Sequence, residues 1–157
     1  MKNRFFLVVL LFVSLVLCAC SDTKEYVEPQ LEVTPNNLAG VWELKSWHNG
    51  LSLAEGSYVY VELIRKDSRF NLYQNIDSFS TRLLTGSFAV ELDEELGAVL
   101  RGMYDFDGGE WGHRYIVTSL TAKEMIWVAK DDPSEVSVYV RSEIPSEVLD
   151  ALYKPAE

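Results

Sequence analysis

Gly40-Val41-Trp42-Glu43-Leu44-Lys45-Ser46-Trp47-His48 is the stretch on which the fold turns. Apolar Trp42 and Leu44 alternate with charged Glu43 and Lys45, which is the two-residue period of a half-buried strand and not the 3.6-residue period of a helix. If Trp42 points inward, Leu44, Ser46 and His48 share its face. Downstream the chain repeats the same grammar, as short runs of Val, Ile, Tyr, Phe and Trp separated by clusters of Gly, Asp, Asn, Ser and Pro. Eight strands are predicted, near residues 40–48, 57–64, 69–75, 82–92, 97–104, 111–118, 124–130 and 135–142. Turn signals such as Lys66-Asp67-Ser68 and Asp131-Asp132-Pro133-Ser134 separate them. Pro145 to Tyr153, with Ser146 as a cap and Val148, Leu149 and Leu152 on one side, predicts a short terminal helix.

The fold class is therefore all-β. Eight antiparallel strands joined by short connections remove their exposed edges by closing into an up-and-down barrel. A two-sheet sandwich satisfies the same alternation, because each architecture needs one buried face per strand. In an up-and-down barrel the connections at 49–56, 76–81, 105–110 and 131–134 fall at one end, and the shorter ones at 65–68, 93–96 and 119–123 at the other. The longer loops then gather opposite the Trp42 end.

Asn37-Leu38-Ala39-Gly40-Val41-Trp42-Glu43-Leu44 resembles the Gly-x-Trp opening of the lipocalin and wider calycin group. Gly86-Ser87-Phe88-Ala89-Val90, Arg101-Gly102-Met103-Tyr104, Tyr115 to Leu120 leading into Met125-Ile126-Trp127, and Tyr139-Val140-Arg141 follow in an order similar to the lipocalin-like lipoproteins of Gram-negative bacteria. The resemblance spans about residues 38 to 142. It implies an eight-stranded lipocalin-like barrel in which Trp42, after Gly40, closes one end and Arg141 from the last strand lies across it. A guanidinium on an indole face gains roughly 0.5 to 2 kcal/mol by cation–π attraction.

Upstream, Lys2 and Arg4 precede an apolar run from Phe5 to Ala19 broken only by Ser14, which is the pattern of a secretory signal peptide. The run is shorter than the ~20 apolar residues that span a bilayer core. Its end, Leu17-Cys18-Ala19-Cys20, resembles the lipobox of bacterial lipoproteins, with cleavage before Cys20 and lipid on that cysteine. Bulky Leu17 before Cys18 excludes the earlier cysteine. The expected organisation is a signal peptide at 1–19, a flexible tether at 20–37 carrying Pro29 and Pro35, and a barrel domain at 38–157. The expected location is the cell envelope, held by a lipid anchor. Ser21 after the anchor is compatible with the outer membrane.

Cleavage removes Lys2 and Arg4 from the 14 basic residues, so 12 face 24 acidic ones and the mature chain carries a net charge of −12. Such a surface disfavours nucleic acid, whose phosphates call for positive charge. With Cys20 blocked, the domain has no disulfide and no thiolate nucleophile or ligand.

Catalytic motifs are missing: there is no Gly-x-Ser-x-Gly elbow, P-loop or His-Glu-x-x-His, and no cofactor is expected. Asp105-Phe106-Asp107-Gly108-Gly109-Glu110 lacks EF-hand spacing and reads as a hairpin turn, with Gly108 or Gly109 at positive φ. Binding is favoured over enzymatic chemistry. The candidates are uptake of a small hydrophobic or amphipathic molecule in an open barrel, or contact with another protein or a glycan through the outside of a filled one. For the first, the predicted site is a metal-free pocket at the long-loop end, lined by Leu51, Leu53, Trp111 and Tyr115, flanked by Tyr58 and Tyr73, with His48 and His113 as polar contacts.

Overall fold

A computed structural model describes residues 27–153, apart from positions 77, 79, 107 and 108. Residues 1–19, expected to be a signal peptide, and Cys20 lie outside the described residues. Strands β1 (Gly40–Trp47), β2 (Leu51–Ser52), β3 (Val59–Ile64), β4 (Arg69–Gln74), β5 (Arg82–Asp93), β6 (Gly97–Tyr104), β7 (Tyr115–Leu120), β8 (Glu124–Ala129) and β9 (Val136–Arg141) form one antiparallel sheet. Short helices α1 (Pro35–Leu38) and α2 (Ser146–Ala151) flank it. β1 pairs with both β2 and β3, each strand from β3 onward pairs with the next, and β9 pairs back onto β1 with Trp42 opposite Arg141 and Leu44 opposite Tyr139. The sheet thus closes on itself. Eight strands make a lipocalin-like up-and-down barrel, not a sandwich, while two-residue β2 is an arm folded back onto β1.

The Trp42 end is sealed. Trp42 is fully buried, and its Nε1–H donates to the Leu38 carbonyl at 2.8 Å. The Arg141 guanidinium lies over the indole at 3.7 Å and donates to Ala39 O at 2.6 Å and Asn37 O at 3.3 Å. Gly40 makes this approach possible: its φ is +124°, and a Cβ there would stand 2.3 Å from the Arg141 guanidinium. Leu63, Phe88, Leu120 and Met125 pack behind the plug as the core.

The N-terminal approach is fixed earlier than Leu38, where order was expected to begin. Leu31 N–H donates to Leu120 O at 2.7 Å, Leu120 N–H donates to the Gln30 side chain at 3.2 Å, and Glu28 pairs with Lys123. Residues 28–37, assigned to the tether from their prolines, therefore run against the closed end of the barrel. Helix α1 follows, with Pro35 in its first turn and the Thr34 hydroxyl accepting from Asn37 N–H at 3.2 Å.

Two irregularities separate the observed strands from the predicted ones. Between Leu44 and Ser46 the pairing of β1 with β9 slips by one residue. Such a bulge reverses the alternation beyond it. Trp47 consequently turns to the cavity in place of Ser46. The strand predicted from residue 111 begins at Tyr115, since β6 and β7 pair only at Val99–Ile116 and Leu100–Tyr115. Residues 111–114 instead form an inward-bending loop tied to β6 by Trp111 N–H donating to Gly102 O at 2.9 Å. Gly109 takes an ordinary φ, and Asp107 and Gly108 lie outside the described residues.

Candidate functional site

Above the plug the barrel interior is not filled. Alternation sends Val59 and Val61 of β3 and Leu72 of β4 inward as an aliphatic wall, opposite an aromatic wall of Tyr115, Trp127 and Tyr139 from β7, β8 and β9. Between them is a cavity of about 310 Å³, open at the long-loop end. That volume is at the low end of the roughly 300–1,000 Å³ typical of small-molecule sites.

Trp111 enters this space from the loop between β6 and β7. It can do so because Gly102 faces inward beneath it: a Cβ at Gly102 would lie 2.0–2.4 Å from the indole atoms. Gly86 makes the same room for Phe70, which meets Trp111 edge-on at 5.1 Å. Trp111 stacks on Trp127 at 5.7 Å and 27°, and Trp127 in turn touches Tyr115 at 5.3 Å and Tyr139 at 4.6 Å. Pairs of this kind contribute about 0.5–1.5 kcal/mol each beyond burial. Burial pushes the Tyr115 phenol up to about 12, with Tyr104, Glu135 and Asp131 adding to it, and burial raises Tyr139 as well. Desolvation favours the neutral phenol, so the wall carries no charge until strongly alkaline pH.

Two histidine–carboxylate pairs stand at the rim. His48 Nδ1 donates to the Glu135 carboxylate at 2.5 Å, and His113 Nδ1 to Asp131 at 2.7 Å. The hydrogen bond from His113 is the main reason the Asp131 carboxyl is held below its usual range. His48 reaches the rim from a tight turn in which it and Asn49 have φ of 43° and 59°, followed by Gly50. Each pair joins two loops, β1–β2 to β8–β9 and β6–β7 to β8–β9. Among the described residues no three His, Cys, Asp or Glu side chains converge as metal ligands.

Four of the eight predicted pocket residues are brought together here: His48, Trp111, His113 and Tyr115. The other four are not. The β1–β2 turn folds back along β1, leaving Leu51 60% exposed and Leu53 half-buried against the main core cluster without lining the cavity. Tyr58 and Tyr73 point out of the barrel, because Val59, Val61 and Leu72 take the inward phase on their strands. They join a second apolar cluster with Tyr60, covered by Val148 and Leu152 of the C-terminal segment. Sequence alternation did not locate Trp47, Gln74, Tyr104 and Glu135 at the cavity, although all four line it. The bulge hid Trp47. Gln74 and Glu135 carry no motif, and the alternation of β4 from Phe70 through Leu72 was the one available signal for Gln74.

No family model matches the chain, and no curated protein matches it. Among solved structures it is similar to a lipocalin-like protein from Bacteroides uniformis, with 15% identity over 68% of this chain and 99% of that one and a TM-score of 0.49. It is also similar to bovine odorant-binding protein, solved as a complex with undecanal, with 13% identity over 80% of this chain and 84% of that one and a TM-score of 0.36.

Proposed function

We propose that the protein is a lipid-anchored binding module of the cell envelope, at the outer membrane, which takes a small hydrophobic or amphipathic molecule into the open end of its barrel. The carrying observation is the cavity itself: about 310 Å³ between an aliphatic and an aromatic wall, plugged at one end by Trp42 and open at the other. A barrel that served only as an outer scaffold would gain stability by filling that space. Binding ranks ahead of catalysis because the cavity walls are mainly apolar, and the ionisable pairs sit at the rim, each histidine held by a carboxylate.

Filling the cavity tests this role. Leu72→Trp puts an indole into the space from the aliphatic wall and is expected to weaken binding of an uncharged fluorescent probe such as N-phenyl-1-naphthylamine at least about tenfold, with the circular dichroism spectrum unchanged. A wild-type protein that binds no such probe, or a variant that binds equally well, would reject the proposal. The anchor is tested separately. Cys20→Ser is expected to abolish metabolic labelling by palmitate and membrane retention, while Cys18→Ser changes neither; lipid remaining on the Cys20→Ser protein would refute the cleavage assignment.

A further inference from the structure

We infer that the cavity selects an uncharged ligand whose polar head both donates and accepts a hydrogen bond, and that the side-chain amide of Gln74 holds that head. This rests on the binding role proposed above and sharpens it to a ligand class.

Gln74 is the last residue of β4, paired with Val59 on one side and Arg82 on the other. It shares the inward phase of Phe70 and Leu72, lines the cavity, and is only 6% exposed. Its amide has no hydrogen-bond partner among the described residues. The neighbouring amides are all committed to the fold: Asn75 accepts from Tyr58 N–H and donates to Gly56 O, both at 2.9 Å, and Asn71 donates to Glu62 at 2.8 Å. Gln74 is therefore not one more structural amide. The amide opens onto the cavity, where the adjoining wall is Val59, Leu72 and Ile76, so a ligand seated there strips water from it and leaves it unpaired at a cost in free energy. A ligand that brings its own hydrogen bonds offsets that cost.

The chemistry of the head follows from what lines the space. A primary amide offers one carbonyl acceptor and two N–H donors, so it fits a hydroxyl or amide head better than a group that only accepts. No lysine or arginine is among the described residues lining the cavity, and the only acidic one is Glu135, already held by His48. An anionic head would lose its hydration without gaining a cation. A cationic head would have to displace His48. Because Gln74 sits near the open end and Leu44 and Phe70 lie toward the plug, the head faces the mouth and the apolar body points inward.

Decanol, decane and decanoate share a chain length and differ at the head, so titrating each into wild type and Gln74→Met, followed by tryptophan fluorescence, isolates the amide. Methionine keeps the volume and removes the hydrogen bonds. Decanol is expected to bind Gln74→Met about three- to tenfold more weakly than wild type, the factor for one neutral hydrogen bond. Decane is expected to bind the variant as well as wild type or better, and decanoate to bind wild type more weakly than decanol. In wild type alone, decanol should shift the Gln74 side-chain NH₂ resonances and decane should not, a measurement that stands if the variant fails to fold. Equal losses for decanol and decane, an unmoved Gln74 resonance, or decanoate as the tightest ligand would overturn the assignment while leaving the cavity's binding role intact. Failure of wild type to bind any of the three would overturn the binding role and the head selectivity together.

Discussion

Replacing Trp42 with alanine is expected to lower the unfolding free energy by about 3–5 kcal/mol, the range for removing a large buried aromatic side chain. The indole is fully buried at the closed end, so its removal leaves a void that the surrounding strands cannot close without shifting the β1–β9 seam. It also leaves the Leu38 carbonyl without its 2.8 Å donor and takes the face from under the Arg141 guanidinium. Desolvation pulls the Arg141 pKa down, as its partly buried position over the ring requires. Arg141→Met should cost less, and a double-mutant cycle by urea denaturation should return a coupling of about 0.5–2 kcal/mol for the cation–π contact. A Trp42→Ala loss below about 1 kcal/mol would mean that the plug does not hold the barrel shut.

Gly102→Val is expected to have the next largest effect, and by the opposite route. No strained backbone is involved, since Gly102 sits in an ordinary strand; the problem is space. A Cβ would meet the Trp111 indole at 2.0–2.4 Å. Either the barrel spreads, at the roughly 1–3 kcal/mol or more that overpacking costs, or Trp111 leaves and forfeits its contacts with Phe70 and Trp127. Both outcomes lower the melting temperature, and loss of the stacked Trp111–Trp127 pair should weaken the near-ultraviolet circular dichroism. Gly109→Ala, where nothing lies within 4 Å of the added carbon, is the control and should stay within about 0.5 kcal/mol of wild type. A Gly102→Val protein with wild-type stability and spectrum would remove Trp111 from the cavity wall.

The barrel was legible in the sequence because strands such as β1 and β8 bury one face more deeply than the other, so alternation reports both their existence and their phase. Trp42, with Gly40 before it and Arg141 opposite, stood out because a plug needs a large ring, a close backbone approach and a cation. Strand β3 was harder. Val59, Tyr60 and Val61 are all buried, since the outer face is covered by Val148 and Leu152, and a strand buried on both sides has no apolar period from which to read its phase. Tyr58 and Tyr73 were misplaced for that reason. Trp47 was lost to a one-residue bulge with no glycine or proline to mark it. Trp111, His113 and Tyr115 reached the cavity along the expected face although residues 111–114 are not a strand. Gln74 left one trace in the sequence, its shared phase with Phe70 and Leu72 on β4, and an amide without a protein partner has no sequence signature.

Pinning the chain to the closed end sets a direction for the whole molecule. Glu28, Gln30 and Leu31 are fastened beside the β7–β8 turn, at the pole opposite the mouth. With lipid on Cys20, as proposed, residues 21–27 alone separate the bilayer from that attachment, a leash of at most roughly 25 Å at ~3.3–3.6 Å per residue. Such a short mooring would keep the plugged pole toward the membrane and the rim toward the aqueous compartment. A guest would then arrive from and depart into that compartment, or pass to a partner standing across it, and would not be drawn sideways out of the leaflet that held the lipid.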